Sequence, residues 1–156
     1  YGQLRIGNPL DEKNHVGPLI DVLAVEMYSA ALQKVVAAGG KLLVEGGVLS
    51  GPGYESGCYV KPAIAEAENH YQIVQDETFA PILYLLKYSG GVENAIALQN
   101  GVKQGLSSAI MTNNLQEAHL FLSASGSDCG IANVNIGTSG AEIGGAKKKE
   151  KETERN

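Results

Sequence analysis

Asp76-Glu77-Thr78-Phe79-Ala80-Pro81-Ile82-Leu83-Tyr84-Leu85-Leu86-Lys87-Tyr88 is the stretch on which the reading of this chain turns. A polar entry, a proline and then an almost unbroken apolar run from Pro81 to Tyr88 describe a loop feeding a strand. Such a run suits a strand covered on both faces of a parallel sheet. Working upstream, Leu23, Met27, Ala31 and Val35 recur near helical spacing. Asp21 stands where a side chain can cap the first amides of that helix, and Gly39 where a left-handed residue ends it. Lys41 to Glu45 reads as a short strand, and Gly46 to Gly57, with Pro52, as a loop. Tyr59 to Ala65 reads as a second extended segment, which Pro62 confines to an edge or an irregular stretch.

Downstream of Gly90-Gly91, the residues Val92 to Asn100 suit a short helix. Ser107 to Thr112 reads as a strand, Asn114 caps a helix running to about Ser123, and Cys129 to Asn135 reads as another buried strand. Strand, helix, strand, helix, strand at this spacing is an α/β pattern with a parallel sheet and right-handed crossovers. No domain boundary is evident before Lys147. Residues 1–146 read as one body, and Lys147 to Asn156, with its interleaved Lys and Glu, as a solvated, disordered tail.

Composition narrows the function. The chain has 156 residues, 44% of them hydrophobic, and a net charge of -5. That acidity argues against binding a phosphate backbone, so nucleic acid is not an expected partner. No apolar run approaches the roughly 18 residues of a membrane span, so no membrane partner is expected either. Two cysteines, Cys58 and Cys129, are too few for a disulfide framework. They fit a reducing compartment, the cytoplasm or the mitochondrion, with any targeting segment lying outside this chain. His15, His70 and His119 are scattered without ligand spacing, so no metal site is expected. No Gly-x-Gly-x-x-Gly or phosphate-loop motif occurs.

Several residues admit two readings. Glu77 either caps a turn or offers a carboxylate that can accept hydrogen bonds from the vicinal hydroxyls of a ribose. Phe79, one of two Phe residues, either fills core volume or presents an aromatic face to a ligand. Gly140 and Ala141 are an ordinary turn, or small residues that let a backbone approach a ligand closely, with the Ser139 hydroxyl beside them. Cys129 lies inside an apolar run, where a thiol is usually packing, and Cys58 has no activating partner nearby in sequence.

Three runs bear on these choices. Glu77-Thr78-Phe79-Ala80-Pro81, then Ser127-Asp128-Cys129-Gly130-Ile131-Ala132-Asn133-Val134-Asn135, then Thr138-Ser139-Gly140-Ala141-Glu142-Ile143-Gly144-Gly145 resemble, in this order, the later part of an aldehyde dehydrogenase. The resemblance is to the alpha-aminoadipic semialdehyde dehydrogenase, or antiquitin, branch. It begins at Tyr1 to Leu10, continues through His15 to Ile20 and ends at about Ala146. The implied fold is part of the parallel-sheet catalytic domain of that family, and the implied cofactor is NAD. Glu77, Phe79 and Pro81 match the family's Glu-x-Phe-x-Pro motif, whose glutamate binds the nicotinamide-side ribose with the aromatic ring beside it. Gly140 and Ala141, with Ser139, match the loop that cradles the amino-acid end of the aldehyde.

The family's nucleophilic cysteine and catalytic glutamate lie upstream of Tyr1, and neither Cys58 nor Cys129 sits in the nucleophile motif. The resemblance therefore assigns no catalytic residue to this chain, and alone it is expected to be inactive. A small aldehyde is the implied partner. Homo-oligomerisation is implied for the intact enzyme and not carried over to this chain. Branch members continue past the Ala146 position with a Phe-Gly-Gly run and a final strand, so the charged run from Lys147 reads as a truncated, frame-shifted or mispredicted end. Two other functions compete: a catalytically dead remnant kept as a binding or structural module, and an unrelated thiol enzyme using Cys58 or Cys129.

Overall fold

The computed structural model describes residues 1–138 and the backbone of Lys147–Lys148. Two compact units divide the chain, Tyr1–Lys87 and Tyr88–Asn156. The division falls within the reach of the sequence read as one body, at the end of the apolar run that begins with Pro81.

In the first unit, helix α1 (Val22–Ala37) starts where expected: the Asp21 carboxylate accepts the Ala24 N–H at 2.8 Å. It ends with Gly39 at φ 102°, the Gly39 N–H donating to Val36 O at 3.0 Å and the Gly40 N–H to Val35 O at 2.8 Å. Those crossed bonds satisfy the last carbonyls that the helix leaves open. One face of α1, formed by Val25, Tyr28, Leu32 and Val35, is buried, at the three- and four-residue spacing of an amphipathic helix.

That face covers a sheet ordered β1 (Lys41–Val44), β4 (Ala63–Glu66), β5 (Ile82–Leu85). Strand β1 runs antiparallel to β4, with an irregularity between Leu42 and Val44, and β4 runs parallel to β5 with Ala63 opposite Ile82 and Ala65 opposite Tyr84. A separate antiparallel pair joins β2 (Gly47–Val48) to β3 (Val60–Lys61). Pro62 falls between β3 and β4, consistent with its inability to donate a ladder bond.

Two clusters make the core. Val25, Tyr28, Leu32, Cys58, Val60 and Ala63 form one, with Ala80 and Ile82 packed against it. Val35, Ala65 and Ala67 form the other, with Ile73, Val74 and Tyr84 against it. Leu42 packs on both. Strand β5 does not have two covered faces as its composition suggests. Ile82 and Tyr84 point inward, whereas Leu83 and Leu85 are 42% and 43% exposed. The parallel pairing is as expected, and among the described residues one face of β5 is covered, the face whose Ile82 and Tyr84 join the clusters that hold the buried residues of α1.

In the second unit, α3 (Val92–Asn100) follows Gly91, and β7 (Ser107–Ile110) pairs in parallel with β8 (Ile131–Val134). Helix α4 (Leu115–Leu122) connects them, capped by Asn114, whose side chain accepts the Gln116 N–H at 2.9 Å. Strand β8 is half-buried along its length rather than buried. Strand β6 (Gln104–Gly105) pairs antiparallel with β9 (Lys147–Lys148). The first two residues of the expected tail are thus extended and hydrogen-bonded, because the edge of β6 supplies the partners their backbone needs; residues 149–156 lie outside the described residues.

Candidate functional site

The loop carrying Glu77 and Phe79 is slung between two anchors. Before it stands a single helical turn, α2 (Gln72–Gln75), held by Ile73 and Val74 in the cluster of Val35, Ala65 and Ala67. After it comes β5, held in the same cluster by Tyr84. The Asp76 N–H donates to Gln72 O at 3.1 Å and the Gln72 side-chain amide donates to Asp76 Oδ1 at 3.0 Å, fixing the entry. At the exit the Ala63 N–H donates to Pro81 O at 3.0 Å, and the Ile82 N–H reaches back to Ala80 O at 2.7 Å.

Between these anchors Phe79 has φ 57°, a left-handed conformation that costs a side chain with a Cβ about 1–2 kcal/mol. Its ring is not core filling, being 86% exposed. Glu77 is exposed as well, and among the described residues nothing bonds or pairs with its carboxylate. The turn-capping reading of Glu77 therefore has no contact behind it. What the loop presents is an exposed carboxylate and an open aromatic face two residues apart, held on a strained backbone of the kind that clusters at ligand sites.

Behind the loop sits Tyr84, whose ring is packed inward. Burial pushes its hydroxyl above the ordinary phenol range, and the Thr78 side chain partly offsets that shift. The Oη atom is itself buried and meets no partner at hydrogen-bonding distance and angle. Sequence reasoning passed over Thr78 and Tyr84. The signal for Tyr84 is the two-residue period of β5, which puts a polar tip on the inward face with Ile82.

Ser139, Gly140 and Ala141 lie outside the described residues. The approach to them is firmly built. Asn135, at φ 57°, accepts the Thr112 N–H at 2.9 Å on its Oδ1 and donates its Nδ2 to Thr112 O at 2.8 Å, while its own N–H donates to Ile110 O at 2.8 Å. Thr112 in turn donates its hydroxyl to the Glu117 carboxylate and accepts the Asn114 N–H at 3.0 Å. Asn is among the few residues that tolerate the left-handed region, which is the cue that could have singled it out.

The remaining candidates are packing or surface. Cys58 is buried in the first cluster, its thiol directed at Ser56 O at 3.4 Å. Cys129 is half-buried and, like Cys58, free. Among the described residues the His15 ring meets Arg5, through contacts of 3.1 and 3.3 Å, and exposed His70 lies 3.3 Å from Glu68. Among the described residues no group of three His, Cys, Asp or Glu could hold a metal, and no helix is long and apolar enough to cross a membrane.

A chain with this fragment of α/β sheet and this motif order matches the aldehyde dehydrogenase family over residues 1–151. It belongs to that family. The match passes Ala146, where the motif resemblance stops, and takes in the first residues of the charged run. Among its relatives, aldehyde dehydrogenase family 7 member A1 of Pisum sativum is 46% identical over 153 residues, 98% of this chain and 29% of the pea protein. Alpha-aminoadipic semialdehyde dehydrogenase of Bos taurus is 46% identical over 154 residues, 98% of this chain and 28% of the bovine protein. The crystal structure of aldehyde dehydrogenase 21 from Physcomitrella patens, in complex with the reaction product succinate, superposes with a TM-score of 0.74 at 28% identity, covering 88% of this chain and 27% of that one. The chain spans less than a third of the length of each.

Proposed function

We propose that this chain is a portion of an NAD-dependent dehydrogenase that oxidises alpha-aminoadipic semialdehyde to alpha-aminoadipate in lysine breakdown, and that its own contribution is to hold the cofactor and the aldehyde. The observation that carries the cofactor half is the loop of Glu77 and Phe79. An exposed carboxylate with no partner among the described residues fits the two hydroxyls of a ribose, and an exposed ring on a left-handed backbone restricts where the attached nicotinamide can lie. When bound, NAD accepts the hydride that leaves the aldehyde carbon.

The aldehyde half rests on the similarity to the bovine semialdehyde dehydrogenase and on the Ser139-Gly140-Ala141 run. Small residues there leave backbone groups open to the amino-acid end of a substrate. No residue of this chain is assigned to bond making. Cys58 is packed away from solvent, and a missing nucleophile cannot be made up by contacts to ribose and substrate alone, since enzymes supply rate factors of at least about a millionfold.

The test is NADH formation from alpha-aminoadipic semialdehyde, followed by absorbance, in the 156-residue chain and in the product purified from its source. We expect none from the chain alone. In an active, longer product, Glu77→Gln should raise KM for NAD+ about tenfold, the loss of one charge-assisted contact. Turnover by the isolated chain, or an unchanged KM in Glu77→Gln, would overturn the reading.

A further inference from the structure

We propose that Asn100-Gly101 is a deamidation site, which the fold keeps slow by docking residues 126–128 on the end of α3 and whose conversion releases that segment. The inference stands apart from the cofactor reading of Glu77 and Phe79 and uses the second unit alone.

Asn100-Gly101 is the one Asn-Gly pair in the sequence. Asparagine amides are thermolabile, and glycine is the neighbour that least hinders attack, having no Cβ to shield its nitrogen. In the reaction Gly101 N gives its proton to solvent and bonds to Asn100 Cγ, the Cγ–Nδ2 bond breaks and ammonia leaves. Water then opens the cyclic imide. Opening at Cγ gives aspartate, and opening at the Asn100 backbone carbonyl carbon gives isoaspartate. Either way one amide and one water become one carboxylic acid, ionised at neutral pH, and one ammonia.

The structure opposes the first step at both reacting groups. The Gly101 N–H donates to Leu98 O at 3.2 Å, which holds the proton that has to leave. Asn100 is the last residue of α3, and its half-buried amide is engaged at both ends. Its Nδ2 donates to Gly126 O at 2.8 Å and its Oδ1 accepts the Asp128 N–H at 3.2 Å. Gln99 adds a tie beside it, donating its Nε2 to Ser127 Oγ at 2.8 Å, and that oxygen lies 2.7 Å from the hydroxyl of buried Ser108 on β7. The segment is held from its other side by the Ser127 N–H, which donates to Phe121 O at 2.9 Å. To carry Cγ onto Gly101 N, the Asn100 amide has to swing out of both of its bonds to 126–128.

Conversion undoes the same contacts. A carboxylate has no N–H for Gly126 O, so two acceptors face each other where a bond stood, and a negative charge enters beside Asp128. Isoaspartate also reroutes the chain through the former side chain at the end of α3. The segment that leads into β8 loses its tie to the helix.

The test is peptide mapping by mass spectrometry after incubating the 156-residue chain at neutral pH, folded and in guanidinium chloride, with isoaspartate counted by enzymatic methylation. Asn100 should convert in denaturant and at least about tenfold more slowly in the folded chain, the factor that two net hydrogen bonds supply. Gly101→Ala, at φ −72° and so without backbone strain, should suppress conversion in both. Gln99→Ala, which removes a tie without touching the reacting atoms, should speed the folded reaction about fivefold and leave the denatured rate unchanged. Asn100→Asp, the product itself, should lower the folding equilibrium constant of the second unit at least about fivefold. If the chain does not stay folded during the incubation, the same map on the product purified from its source supplies the folded arm. No conversion in denaturant, or an equal rate in Gly101→Ala, overturns the site. Equal folded and denatured rates, or a folded rate that Gln99→Ala does not move, overturn the protection, and an Asn100→Asp chain as stable as the parent overturns the release.

Discussion

Replacing Tyr28 with phenylalanine should unfold more of the first unit than the loss of one oxygen suggests. The side chain is fully buried, its hydroxyl donates to Lys61 O at 2.6 Å, and the same oxygen accepts the Gly47 N–H at 2.9 Å. One atom thus pins α1 to both strands of the β2–β3 pair. Tyr28→Phe leaves the ring in place and strands two backbone groups. Gly47 is half-buried and Lys61 is at the surface, so water recovers part of the loss, and about 1 kcal/mol per group, ~2 kcal/mol in all, is the expected cost. The unfolding entropy near the midpoint is about 2.1 cal/mol/K per residue, or ~0.18 kcal/mol/K for Tyr1–Lys87, so the midpoint of that unit should fall by ~11 °C.

Gly46 supplies an internal check. It sits at φ +70°, and a Cβ added there would lie 2.1 Å from Tyr28 Oη and 2.9 Å from Ala63 Cβ. Gly46→Ala alone should cost more than the ~1–2 kcal/mol of its left-handed backbone. In the Tyr28→Phe background the nearest obstacle is gone, so the pair should cost at least ~1 kcal/mol less than the sum of the singles. Urea unfolding followed by circular dichroism gives all four corners of the cycle. A Tyr28→Phe loss below ~0.5 kcal/mol, or strict additivity, would refute the argument that this oxygen is a junction.

Gly126→Ala should cost the second unit about 3 kcal/mol by overpacking, because its Cβ would stand 2.2 Å from Phe121 O and 2.3 Å from Leu120 O; chemical denaturation with a probe on α4 measures it. Asn135→Ala should cost about 2–3 kcal/mol, combining backbone strain with two lost bonds to Thr112, and should abolish exchange protection at the Thr112 amide. Burial raises the hydroxyls of both Tyr28 and Tyr84, against an opposing contribution from the Gly47 N–H and from Thr78 respectively. Both groups therefore hold their protons more tightly folded than unfolded. Their contribution is fully present below about pH 10 and is lost as pH rises through the folded values, so stability should fall on the alkaline side and fall less in Tyr28→Phe.

Local chemistry was legible in the residues. Asp21, Gly39 and Asn114 announce their roles because caps and left-handed glycines act over a few residues, and all three stand where read. The strands expected from Lys41 and Ser107 stand where read, whereas those expected over Pro81 to Tyr88 and Cys129 to Asn135 shrink to Ile82–Leu85 and Ile131–Val134, which leaves Cys129 in the bend before β8 rather than inside a strand. What escaped was decided by contacts distant in sequence. The antiparallel setting of β1 against β4 and the exposed face of β5 depend on which element covers which. At the candidate site, Glu77 and Phe79 stood out through their motif, and the structure adds that both are open and that Phe79 is strained. Tyr84 escaped because a tyrosine in an apolar run looks like any other large side chain until its oxygen is counted.

Leu42 joins both hydrophobic clusters of the first unit. A residue shared in this way removes the natural fault line along which one cluster could open while the other stayed shut. Regions that open separately in other proteins do so because few apolar contacts cross between them. Here the helix, the three-stranded sheet and the anchors of the Glu77 loop should exchange their slowest amides together, in one cooperative event, so motion at the loop is confined to the residues between its anchors.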